Sequence, residues 1–223
     1  MERYMAHLLK GAEYRTKQFM GSQVGDPASL QYGGIKGDIW EAKPTIYALT
    51  SALAVYFHKD SCFYKNEQLY AAVNLALDFI ERTQREDGSF DYTVCNFHSA
   101  PDTAFCYHPM DKTYRLMKKF ENDVDTSSLQ EKYLSIMKKA AAAIRDGGFH
   151  TPNHRWAICA ALMQAADVFA EDESFAKSCK ARTEKYFNEG IDGNADGEYA
   201  ERSTGGYNCV VNDAMINLYE MTK

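Results

Sequence analysis

A chain of 223 residues with 45% hydrophobic and 25% charged residues can bury a substantial core as one large domain or two small ones. Its formal net charge of −6, without any run of Lys or Arg, excludes nucleic acid and anionic membrane surfaces as natural partners.

Helical periodicity begins at once. Over about residues 2–20, Met5, Leu8, Leu9, Ala12 and Phe19 fall near one face. A glycine-rich stretch, about 21–37, leads to a second helix at about 44–58, dense in Ala, Leu, Tyr and Val. The apolar spacing returns at about 66–85 through Leu69, Val73, Ala76, Leu77 and Ile80. Further helices are predicted at about 100–120, 127–145, 154–169, 173–188 and 207–221. Asp87-Gly88 and Gly147-Gly148 mark helix ends, and Thr151-Pro152 opens a helix.

Eight helices, no alternating strand and no clear linker predict a single all-α domain over residues 1–223. The spacing suggests four helical hairpins, although no residue motif repeats at a fixed period. Hairpins stacked side by side form an open solenoid or an α/α toroid, and either arrangement gathers its longer loops at one end. The six cysteines (Cys62, Cys95, Cys106, Cys159, Cys179 and Cys209) form no CxxC pair, which fits a reducing compartment. The first seventeen residues are punctuated by charge, unlike a signal peptide, and no apolar run could span a bilayer. The chain therefore reads as cytoplasmic.

The sharpest chemical segment is Gly147-Gly148-Phe149-His150-Thr151-Pro152-Asn153-His154-Arg155-Trp156. It places Asn153, His154 and Arg155 in the first turn of a helix, whose positive end disfavours a protonated imidazole. A neutral His154 can accept a proton, and Asn153 can donate to a carboxylate or carbonyl. The bland alternative makes Asn153 a cap and packs His154 and Trp156 against a neighbour; four recognition residues in a row exceed what a cap needs.

A long polar connection precedes the last helix. Asp192, Asn194, Asp196 and Gly197 match the first half of a calcium-binding loop, but Ser203 stands where that loop requires Glu. Tight turns at Gly193 and Gly197 account for the match, and no metal or other cofactor is assigned. Glu201, Arg202 and Tyr207 are the better candidates: Arg202 for an anionic substrate group, Tyr207 as acid or base. Glu201 beside Arg202 is equally readable as an ion pair. A third segment, Asn96 to Phe105, carries His98 and Asp102; the default role of Asp102 is to cap a helix. Trp40-Glu41 adds a stacking ring and a carboxylate.

The motifs Q-x-x-D-G-S-F, P-D-T-A-F, T-P-N-H-R-W and D-G-E-Y-x-E-R-S-T-x-x-Y-N resemble those of α/α-toroid carbohydrate-active enzymes. The likeness is to heparinase II/III-like proteins and related toroid β-glucuronidases, and it runs from about residue 84 onward. It implies a cleft lined by an Asn-His pair and a Tyr, matched by Asn153, His154 and Tyr207. One group would neutralise a uronate carboxylate, another take the C5 proton, and the Tyr protonate the leaving oxygen. The substrate implied is an oligosaccharide or polysaccharide containing uronic acid. Trp40, His98, Arg155, Trp156, Arg202 and Asn208 would bind it. Hydrolysis would instead use a carboxylate pair such as Asp102 and Glu201. Enzymes of this kind carry a longer toroid and a β-rich domain. This chain is therefore expected to be a fragment, a short form, or a subunit that completes its cleft by association with further copies. The alternative function is a non-catalytic glycan-binding or helical-repeat subunit.

Overall fold

The computed structural model describes residues 2–203 and 205–222; Thr204 of the last motif lies outside the described residues. Eight α-helices are described: α1 (Glu2–Ser22), α2 (Lys43–Phe57), α3 (Glu67–Thr83), α4 (Ala100–Lys119), α5 (Ser127–Asp146), α6 (Pro152–Val168), α7 (Glu173–Phe187) and α8 (Gly206–Met221). The fold is all-α but for one small addition. Strands β1 (Phe90–Tyr92) and β2 (Asn96–Ser99) form an antiparallel hairpin pairing Phe90 with Ser99 and Tyr92 with Asn96. Strands of three and four residues are too short to show the alternation that announces a strand in sequence.

Local chemistry sets the helix starts. Asn66 caps α3 by accepting from the Leu69 amide at 2.8 Å, and Asp172 caps α7 by accepting from Phe175 at 3.1 Å. Proline stands in the first turn of α2, α4 and α6, where a missing N–H costs nothing. No helix among the described residues is long and apolar enough to cross a membrane.

Packing follows a simple order. Helix α2 lies against α4, α4 against α6 and α6 against α8, while α3 lies against α5 and α5 against α7. The even-numbered helices form one layer and α3, α5 and α7 a second; α1 packs on α2. Helix α3 buries one stripe, Leu69, Val73, Ala76, Leu77 and Ile80. By contrast α6 touches α4, α5, α7 and α8 and is buried nearly all round. Its alanines at 157, 160, 161, 165 and 166 let those neighbours approach closely.

One device recurs where an odd-numbered helix ends. After α1, the Gln23 amide donates to Gly33 O at 2.9 Å and to Ala72 O of α3 at 2.8 Å. After α3, the Gln84 amide donates to Gly88 O and to Ile136 O of α5, both at 2.9 Å. Gly33 and Gly88 have φ of +86° and +88°, and a Cβ on them would lie 2.3 Å from Leu75 O and 2.2 Å from Lys139 O. Only glycine fits such a turn pressed onto a helix backbone. After α5, Arg182 of α7 donates to Gly147 O at 2.9 Å. The end of each of these helices is thereby fastened to the next odd-numbered helix, and the glutamine and glycine of Q-x-x-D-G-S-F are structural residues.

Candidate functional site

The N-terminal ends of α2, α4 and α6 meet in a cluster of charged and aromatic side chains. Lys43, the first residue of α2, places Nζ 3.7 Å from Asp102 Oδ1 and over the rings of Tyr92 and Phe105, at 5.5 and 5.2 Å from their centroids. Asp102 is 6% exposed. Its carboxylate accepts from Ser99 Oγ at 2.7 Å and Asn96 Nδ2 at 3.2 Å, and its amide donates to Ser99 Oγ at 3.2 Å. That reciprocal pair is a cap, with Asp at the position Glu or Gln usually takes. Phe105, one turn on, stands edge-on to His154 at 5.6 Å, and His154 is edge-on to His150 at 4.8 Å.

His154 is half-buried, and its Nδ1 is enclosed without a hydrogen-bond partner among the described residues. Burial first, then His150 and Lys43, hold the imidazole below its ordinary pKa against the opposing pull of Asp102. Glu41 Oε2 is likewise enclosed and unpartnered. Burial raises the Glu41 pKa; Lys43 opposes the rise and Asp102 adds to it. Lys43 was not singled out from sequence, because a lysine before a helix-opening proline reads as a solvated charge.

The rest of the α6 start is occupied by the fold. Asn153 is 2% exposed; its Oδ1 accepts from Thr151 Oγ1 at 2.6 Å and its backbone N–H donates to Glu201 Oε2 at 2.9 Å. Glu201 therefore caps α6 from the loop before α8, rather than pairing with the adjacent Arg202. The expected sugar-binding role of Arg155 meets a different geometry. Its side chain is 4% exposed, and its guanidinium binds Glu189 Oε2 at 2.8 Å, Gly190 O at 2.9 Å and the Asp192 carboxylate. Trp156 is 1% exposed and stacks on Phe187 at 6.1 Å, so its indole offers no face to a ligand. Asp102 and Glu201, the expected hydrolytic pair, each serve a helix start.

Arg202, Tyr207 and Asn208 lie beside this end, since Glu201 and Asp192 tie their loop to α6. Arg202 is exposed with φ of +44° and lines a recess with Glu198, Tyr199 and Asn208. Tyr207 is 56% exposed in the first turn of α8. The calcium-like run is a turn in which Asn194 Oδ1 accepts from the amides of Asp196 and Glu198 at 3.0 and 2.9 Å. On the β-hairpin, His98 has φ of +51° and places Nδ1 2.7 Å from Asp87 Oδ2. Trp40 is 45% exposed just before α2.

A cavity of about 700 Å³ opens among α1, α2, α4, α6 and α8. Its walls include Arg15, Tyr47, Phe105, Lys112, Asp213 and Asn217, and Phe105 is the ring it shares with His154. Sequence reading missed this space, because its lining is spread over five helices. No known protein family, curated protein sequence or solved structure matches the chain.

Proposed function

We propose that the chain is a carbohydrate-active domain whose even-numbered helices form the inner layer of a partial α/α toroid. It binds a uronic-acid-containing glycan and cleaves it by β-elimination, with His154 as the base. The observation that carries this reading is His154 itself: held neutral by burial, with an unpartnered Nδ1, in contact with Phe105 on the wall of the 700 Å³ cavity. A buried ring nitrogen without a partner costs about 1–3 kcal/mol, which a bound hydroxyl would return. Arg15 and Lys112 on that cavity supply cations for uronate groups in an otherwise acidic protein, and Tyr47 and Phe105 supply faces for sugar rings. In the reaction His154 takes the C5 proton, the electron pair forms the C4=C5 double bond, and the C4–O bond breaks toward an oxygen protonated by Tyr207. The six free thiols suit a cytoplasmic setting.

One observation favours hydrolysis as a second reading. Glu41, its pKa raised by burial, stands within electrostatic reach of Asp102, which pairs with Lys43, so two carboxyl groups sit close together in unlike environments. The test is incubation with polyuronides and mixed uronic-acid glycans. Elimination yields an ultraviolet-absorbing unsaturated sugar, and His154→Ala should lower its rate by about a hundredfold or more. New reducing ends without that absorbance select Glu41-driven hydrolysis. Retention on a glycan gel without product leaves a binding module, and neither retention nor product defeats the glycan reading.

A further inference from the structure

A second, smaller cavity lies between the β1–β2 hairpin and the segment that leads into α2. It holds about 220 Å³ and is lined by Trp40, Glu41, Phe90, Asp91, Thr93 and Phe97, among others. That is below the roughly 300–1,000 Å³ of drug-sized sites and suits a single ring. Phe90 is buried and forms a floor, while Trp40 and Phe97 are 45% and 59% exposed. Two large exposed rings around one small hollow leave an apolar surface without a fold partner.

The polar lining is as informative. Glu41 Oε2 and Thr93 Oγ1 are both enclosed and without a hydrogen-bond partner among the described residues. Each unpaired buried oxygen is a cost to the fold that a ligand's hydroxyl would remove. The charges are already matched elsewhere: Arg85 pairs with Asp91, and Lys43 with Asp102. An anionic ligand would meet the unpaired Glu41 here, while the nearby cations are taken. A ring bearing hydroxyls and no charge meets apolar faces and two open oxygens.

We infer that this hollow is a subsite for one uncharged pyranose ring, stacked on Trp40 and hydrogen-bonded to Glu41 and Thr93. The ligand class rests on the glycan reading above, and the inference deepens it: the substrate carries a neutral sugar next to its uronate. Glu41 joins the hollow to the Lys43–Asp102 cluster, so this ring would sit next to the site of cleavage.

The chain contains two tryptophans, and they make the test direct. Trp156 is buried and serves as an internal reference, so the indole N–H signal of Trp40 reports the hollow alone. The ¹⁵N-labelled full chain is titrated with the methyl glycosides of glucose, galactose, mannose and N-acetylglucosamine, and with methyl glucuronoside. At least one neutral glycoside should shift the Trp40 signal, saturating in the range of about 1–10 mM expected for so small a ligand. The glucuronoside should bind at least about tenfold more weakly. Trp40→Ala, an exposed position tolerant of change, should abolish saturation transfer to the sugar; Thr93→Val should weaken it while leaving the Trp156 signal in place. A Trp40 signal unmoved by every neutral glycoside up to about 100 mM, or moved equally by the glucuronoside, overturns the inference. Polyuronide cleavage without a Trp40 shift sinks the subsite alone. A Trp40 shift without any cleavage keeps the subsite and sinks the catalytic reading.

Discussion

Arg155 offers the sharpest test of whether the start of α6 is built for folding or for sugar. Arg155→Met keeps much of the side-chain volume and removes the cation that holds Glu189, Gly190 O and Asp192. It also removes the guanidinium from the face of Trp156, 4.6 Å from the ring centroid. Breaking one side of a fully buried ion pair costs about 3–5 kcal/mol. Here the two carboxylates left behind are 53% and 33% exposed, so water takes up part of their charge. A loss of about 2–3 kcal/mol is therefore expected. For a domain of this size that corresponds to a fall in melting temperature of roughly 5–10 °C. Thermal unfolding followed by circular dichroism gives the first number, and retention on a glycan gel, per folded molecule, gives the second. Retention should survive, less any loss from loosening the 189–192 loop. An unchanged melting temperature with retention abolished would show that the guanidinium serves the sugar, and the clamp assignment would fall.

Two further perturbations probe the scaffold. Gly88→Ala combines a left-handed backbone with a Cβ driven against Lys139 O, so denaturant titration should show a loss of about 2–4 kcal/mol. Gly148→Ala, with nothing within 4 Å of the added carbon, should stay within about 0.5 kcal/mol, and equal effects at both sites would contradict the backbone-contact argument. Burial lowers the His108 pKa to about 4, against about 6.5 in an unfolded chain. Between those values the unfolded chain binds more protons, so stability is full above about pH 6.5 and falls as pH drops toward 4, by at most about 3 kcal/mol. The ring also borders the main cavity, where water can reach it, so about half of that loss is the better expectation. His108→Gln should flatten the dependence in urea titrations across this window, and an unchanged slope would exclude His108 as its source.

The helices were legible because periodicity and caps are local. Residues 44–58 were expected for α2 and Lys43–Phe57 are found; 173–188 for α7 and Glu173–Phe187. The distribution of roles at the helix starts was less legible. Arg155 and Trp156 look like recognition residues by type, yet α6 is enclosed by four helices, and enclosure is a tertiary fact. The run of alanines after Trp156 was the available clue that this helix is central. Glu201 as the cap of α6 joins residues 48 apart, beyond any local pattern. Lys43 gains interest only when α2 brings it to Asp102. The recurring glutamine device escaped notice because Gln23 and Gly33 are 10 residues apart whereas Gln84 and Gly88 are 4 apart.

That device makes the stack self-indexing. Gln23 and Gly33 engage Ala72 and Leu75; Gln84 and Gly88 engage Ile136 and Lys139. In both, the anchoring backbone groups sit three residues apart on one helix. The position of each loop is thus set by where its glutamine and glycine meet the following odd-numbered helix. Exposed residues between the anchor and the next even-numbered helix can be varied without moving the scaffold, as the different connections into α2 and α4 already illustrate. The vulnerability lies in the helices that carry the anchors, α3 and α5. Deleting one residue from α3 upstream of Ala72 turns that anchor by about 100° and slides it along the axis. The first loop then loses its seat, although no residue of the loop has changed.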